Sequence, residues 1–198
     1  MPHTSRLALL LVLPGVCLAA PTVAQTLTPG PPGPFVIDVR VVTSGVPGGP
    51  AFYPGLPDGA TVPTRGFGGD VGVHIYPLQL GPGRLGLGAD VMLARGSTAD
   101  ARSTLTTVAP QLSLNFGTSD GWSYLSAGVG AARIRLAPGA GSATVRSVNV
   151  GGGARWFLGP RLGVGFDVRV HTMAAGGDVG SETPASTAVS AAVGLSMK

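Results

Sequence analysis

The chain is poor in most of what holds a soluble domain together. One of its 198 residues is cysteine. That residue, Cys17, lies in a segment expected to be removed, so the mature protein can form no internal disulfide and no thiolate zinc site. Charged residues make up 11% of the chain, against about 25% in an ordinary soluble domain, so the usual polar cover is missing. Beyond the N-terminal segment no run approaches the roughly 20 apolar residues of a membrane helix. The basic residues outnumber the acidic ones by 13 to 9, but the arginines are scattered. No nucleic-acid footprint is therefore expected.

What is present begins with an export signal. "MPHTSRLALLLVLPGVCLAAPTVAQ" carries Arg6, an apolar run from Leu7 to about Ala20 and small residues up to Ala24. This pattern predicts a secretory signal peptide over residues 1–24. Residues 25–34, "QTLTPGPPGP", read as a Pro/Gly-rich leader, and residues 35–198 suit one domain.

That domain alternates. In "LGVGFDVRV" (162–170), Leu162, Val164, Phe166, Val168 and Val170 are interleaved with Gly163, Gly165, Asp167 and Arg169. A period of two puts one set on each face of a β-strand. Seven further segments read alike: Phe35–Thr43, Phe67–Leu78, Leu85–Ala94, Thr104–Phe116, Trp122–Ile134, Val145–Phe157 and Thr187–Lys198. Each has about the ten residues that a tilted strand needs to cross hydrocarbon. Short connections (Gln79–Arg84, Gly117–Gly121, Leu158–Arg161) alternate with longer ones (Ser44–Gly66, Arg95–Ser103, Ala137–Thr144, Met173–Ser186). Short inner turns and longer outer loops are the layout of a membrane barrel.

At "YLSAGVGAARI" (124–134) and "VNVGGGARWFLGPRLGVGFDVRV" (148–170) the chain resembles the small eight-stranded outer-membrane β-barrel proteins of Gram-negative bacteria. The similarity runs over roughly 35–198. It implies an all-β, eight-stranded antiparallel up-and-down transmembrane β-barrel in the cell outer membrane. The implied partners are outer-membrane lipid and, during insertion, the barrel-assembly machinery. Family members usually end on an aromatic residue that this machinery recognises, whereas here the last residues are Met197 and Lys198.

With the apolar face in lipid, Asp38, Arg40, Asp70, Asp90, Arg155, Asp167 and Arg169 turn inward. Eight strands leave a lumen about wide enough for its own side chains, so these charges are expected to form a polar plug. Asp90, Asp167, Arg40 and Arg169 should make an ion-paired layer near mid-height, since isolated buried ions are costly. Gly-x-Gly pairs at 86/88, 128/130, 151/153 and 163/165 lack a third glycine opening a helix. They read as packing devices, and no cofactor is expected. His74 and His171 fall at different levels with no acid cluster, which argues against a metal site. His171, Ser181 and Glu182 follow no hydrolase spacing, so no enzymatic activity is expected.

Phe35, Tyr76, Phe116, Trp122 and Trp156 are expected at the inner membrane boundary, with Phe67 at the opposite rim. The long segment 44–65, with Phe52 and Tyr53, reads as an unselective solvated loop. The expected role is structural or surface interaction. Two rivals stand beside it: a soluble periplasmic barrel of reversed parity binding an apolar ligand, and a narrow channel.

Overall fold

The computed structural model describes residues 32–138, 141–176 and 183–198. The expected signal peptide and most of the expected leader lie outside them. Eight strands make one closed antiparallel barrel in chain order: β1 (Phe35–Gly45), β2 (Arg65–Leu80), β3 (Gly83–Ser97), β4 (Arg102–Thr118), β5 (Gly121–Ala137), β6 (Gly141–Phe157), β7 (Leu162–Met173) and β8 (Ser186–Met197). The segments expected from alternation all form strands, and β2 to β6 run several residues past their expected ends. Two connections expected to be longer, Arg95–Ser103 and Ala137–Thr144, are consequently tight. Their Thr, Ser and Arg residues keep the two-residue period and stay in the ladder above the membrane.

Parity decides what each face meets. Val41 is 67% exposed and Val129 63%, while Asp38 is fully buried. The soluble reading required Asp38, Arg40, Asp90, Asp167 and Arg169 in solvent; all five are buried.

The registers also give the tilt. Phe35, Ile75, Leu87, Leu112, Ala127, Val150, Val170 and Val189 face one another in turn around the barrel. Val189 lies beside Gly45, so the row returns to β1 ten residues above its start at Phe35. Eight strands with that stagger tilt by about 40° and advance about 2.5 Å per residue along the barrel axis. From Phe35, Phe116 and Trp156 below to Phe67, Leu93 and Val189 above, the outward apolar girdle is then about 25 Å tall. A soluble protein rarely leaves so large a continuous apolar surface in water. This barrel spans a bilayer.

Two of the expected boundary aromatics are not in the girdle. Tyr76 and Trp122 are 1% exposed and point inward, where they form a floor with Val36 and Phe157. Their parity explains it: Tyr76 follows His74 by two, and Trp122 precedes Tyr124 by two. Phe35, Phe116, Trp156 and Phe67 do face outward. The end of the leader closes against this floor, with the Pro34 carbonyl accepting from Tyr76 N at 2.7 Å.

Candidate functional site

Among the described residues, chemistry-bearing side chains converge in the lumen, where they lie at three levels. The lowest is the aromatic floor. Trp122 and Phe157 lie 4.7 Å apart between ring centroids, and Tyr76 meets Trp122 edge-on at 6.3 Å. Lys198 sits over the Phe157 ring at 4.0 Å and donates to the Ser119 carbonyl.

The middle layer holds all seven inward charges. Arg155 donates to both oxygens of Asp38, from Nε at 2.9 Å and Nη2 at 2.6 Å. Asp38 also accepts from Ser196 Oγ at 2.6 Å and lies 2.6 Å from Arg40 Nη2. Arg40 donates to Asp70 at 2.6 Å, and Asp90 stands 4.0 Å from it. On the other wall Arg169 pairs with Asp167 at 3.0 Å and donates to Gln111, Asn149 and Ser126.

Tyr124 joins the two halves. Its hydroxyl accepts from Arg40 Nη2 at 3.2 Å and donates to Asp167 at 2.8 Å. The Arg155 guanidinium lies 3.8 Å from its ring centroid. Asp90, Asp167, Arg40 and Arg169 thus share one level, but Arg40 reaches Asp167 through Tyr124. Tyr124 shares the inward parity of Ser126, and sequence reasoning missed this bridge. A ring able to pair with cations and carry a hydroxyl across the lumen was the available signal.

The paired glycines make room for this layer. A Cβ at Gly151 would lie 2.7 Å from the Val168 carbonyl oxygen and 2.9 Å from Cβ and Cγ of Arg169, and one at Gly153 would collide with the Phe166 carbonyl oxygen and lie 2.9 Å from the Tyr124 hydroxyl. Gly153→Val should therefore strain the β6–β7 pairing at Phe166 and crowd Tyr124 at its bridging position. The expected result is a lower urea midpoint in lipid than wild type, with Gly159→Val on the open inner turn unchanged, since nothing lies within 4 Å of Gly159.

The upper layer was not foreseen. Met92, Ala94, Leu105, Ala132, Ile134, Leu136, Val145 and Met173 bury an apolar cluster where a polar, glycine-rich face was expected. Val46, Phe52 and Tyr53 from the long first loop belong to the same cluster. The loop is therefore a lid on the lumen, not a free solvated segment. Tyr53 donates to the Arg102 carbonyl at 3.2 Å, and Thr61 gives Asp100 two bonds of 2.8 Å, from N and Oγ1.

Those two bonds hold the Asp100 carboxyl below the usual carboxylate range. A lowered value stabilises the tie above about pH 3.9 and lets it weaken as the pH falls through the lowered value. Asp100→Ala should accordingly speed proteolysis within 54–61 at neutral pH. In wild type the same acceleration should appear only in acid. Equal digestion rates at pH 7 would show that the tie does not hold the lid.

His74 stacks on Tyr76 at 6.2 Å, whereas His171 lies 3.2 Å from Ser190 Oγ. Ser181 and Glu182 lie outside the described residues.

No protein-family model matches the chain, and no curated protein matches it in sequence. Its fold matches Neisserial surface protein A with a TM-score of 0.57 at 13% identity, over 83% of this chain and 96% of that one. It matches Ail, the attachment invasion locus protein of Yersinia pestis, with a TM-score of 0.52 at 12% identity, over 84% and 98%. At these identities the fold is what is shared. The chain thus shares the closed barrel fold of small outer-membrane proteins, and its girdle faces lipid. The expectation of no enzymatic activity needs correction. Two outer-membrane enzymes are among the barrels with a more distant likeness to this one: PagL (14% identity, TM-score 0.47) and the Escherichia coli outer membrane protease OmpT (9%, TM-score 0.39).

Proposed function

We propose that this outer-membrane barrel is a closed scaffold with a structural or surface-interaction role, its lumen serving as packing and not as a passage. The observation that supports the reading is the succession of buried side-chain layers along the lumen. An aromatic floor, a charge layer bridged by Tyr124 and an apolar cluster under the first loop succeed one another along the axis. The seven inward charges are structural in this reading. Paired and hydrogen-bonded, they offset the desolvation that isolated ions would suffer.

The interacting surface is the outer end. Arg65, Arg95, Arg102, Arg133, Arg135 and Arg146 are exposed there, and none makes an ion pair among the described residues. The described acids at that end are Asp58 and Asp100. Such a surface favours anionic partners. Insertion is proposed to run through the barrel-assembly machinery, to which β8 offers Leu195 and Met197 on its outward face.

Planar-bilayer recording tests the closed lumen. The full mature barrel should show no stable conductance. Large, stable conductance would replace the scaffold by the channel.

A further inference from the structure

The girdle is not smooth where the barrel closes. β1 and β8 pair from Ile37 opposite Met197 up to Ser44 opposite Ser190. Near the top of that seam Ala191 faces outward with only a methyl group, opposite Thr43. Phe67 rises on one side of this dent and Phe166 and Val168 on the other, leaving an apolar cavity of about 570 Å³. A second cavity of about 410 Å³ shares Thr43 and Ala191 with the first and continues above it. Thr64, Thr187 and Arg65 are among the residues that line it.

The two cavities make one groove along the lipid side, apolar through the upper half of the girdle and polar at the outer boundary. Its volume is in the range of clefts that hold a single ligand. Arg65 is exposed and makes no ion pair among the described residues.

We propose that this groove binds one lipid molecule with a phosphate-bearing head group. An acyl chain lies along Ala191 between Phe67 and Phe166. The phosphate meets Arg65, whose planar donors match its oxygens, with the Thr64 and Thr187 hydroxyls close by. Lipid is the occupant, not a free anion, because the cation adjoins a slot that water would fill poorly and hydrocarbon fills well. The groove lies outside the barrel wall, so the site is independent of whether the lumen conducts.

Native mass spectrometry of the full mature barrel from detergent tests it, with phosphatidic acid and phosphatidylcholine of identical chains as probes. Wild type should retain one phosphatidic acid, about tenfold more readily than phosphatidylcholine. Arg65→Gln should remove the preference between head groups. Ala191→Trp, which fills the slot from the lipid side, should lower retention of both lipids. Arg84→Gln, at the opposite rim, should change neither. Each variant is checked for the unheated gel mobility of the folded barrel. Should Ala191→Trp fail this check, Ala191→Leu takes its place. Equal retention of the two lipids by wild type would overturn the site, as would indifference to filling at Ala191. Displacement of phosphatidic acid by an equal concentration of inorganic phosphate would also overturn it, by showing a bare anion site.

Discussion

Asp38→Ala should destabilise the folded barrel by about 3–5 kcal/mol, the loss expected when one member of a buried ion pair is removed. Asp38 is the most heavily engaged carboxylate of the lumen. It takes both donors of Arg155, the hydroxyl of Ser196 and the charge of Arg40. Deleting it strands Arg155, which is itself buried, beside one further cation. Asp58→Ala in the exposed part of the first loop is the control and should change stability by less than about 0.5 kcal/mol. Urea midpoints in lipid vesicles read both. Equal midpoints would show that the charge layer does not hold the barrel. Pairing Asp38→Ala with Arg155→Met should recover much of the loss, because no buried charge is then left without a partner.

Trp122→Ala should cost about as much, roughly 3–5 kcal/mol, by a different route. Trp122 is almost fully buried at the floor, against Phe157 and Tyr76, and a Cβ on Gly33 of the leader would come within 3.1 Å of its ring. Its Nε1 has no hydrogen-bond partner among the described residues, so what it contributes is volume. Alanine there leaves a cavity at the inner mouth. Trp156 is half exposed on the outward face, and Trp156→Ala should lose clearly less. The two urea midpoints decide the matter. A floor variant no weaker than the girdle variant would mean that the aromatic layer is not a structural seal. The floor variant should also admit small ions in bilayer recordings where wild type does not.

Legibility in the sequence followed from how local each signal is. Strand parity is a property of neighbours two apart, so the eight strands, their two faces and the inward placement of all seven charges could be read directly. Who pairs with whom depends on register, and Arg155 meets Asp38 from 117 residues away. No local pattern carries that distance. The aromatic floor was readable in principle, because Tyr76 and Trp122 share parity with His74 and Tyr124. The expectation that aromatics collect at membrane boundaries overrode it. The lid was hidden for another reason: proline and glycine around Phe52 and Tyr53 mark a loop but do not say where its apolar side chains go. The short outer turns beyond β3 and β5 were missed because Thr- and Arg-rich ends lose their hydrophobic contrast while keeping their period.

The placement of Asp38 at the closing seam has a consequence in time. Neighbouring strands can zip as successive hairpins, each closing a loop far shorter than the chain, but β1 meets β8 only after the whole chain has been gathered. Asp38 opposes Ser196 across that last joint, and its hydroxyl partner is 158 residues away. The complete set of contacts around Asp38 is therefore among the last to form. Perturbing it should leave the folding rate nearly untouched and appear almost entirely as faster unfolding, a φ-value near zero at the centre of the molecule. The charge layer would then set how long an inserted barrel persists, while the hairpins set how fast it is made.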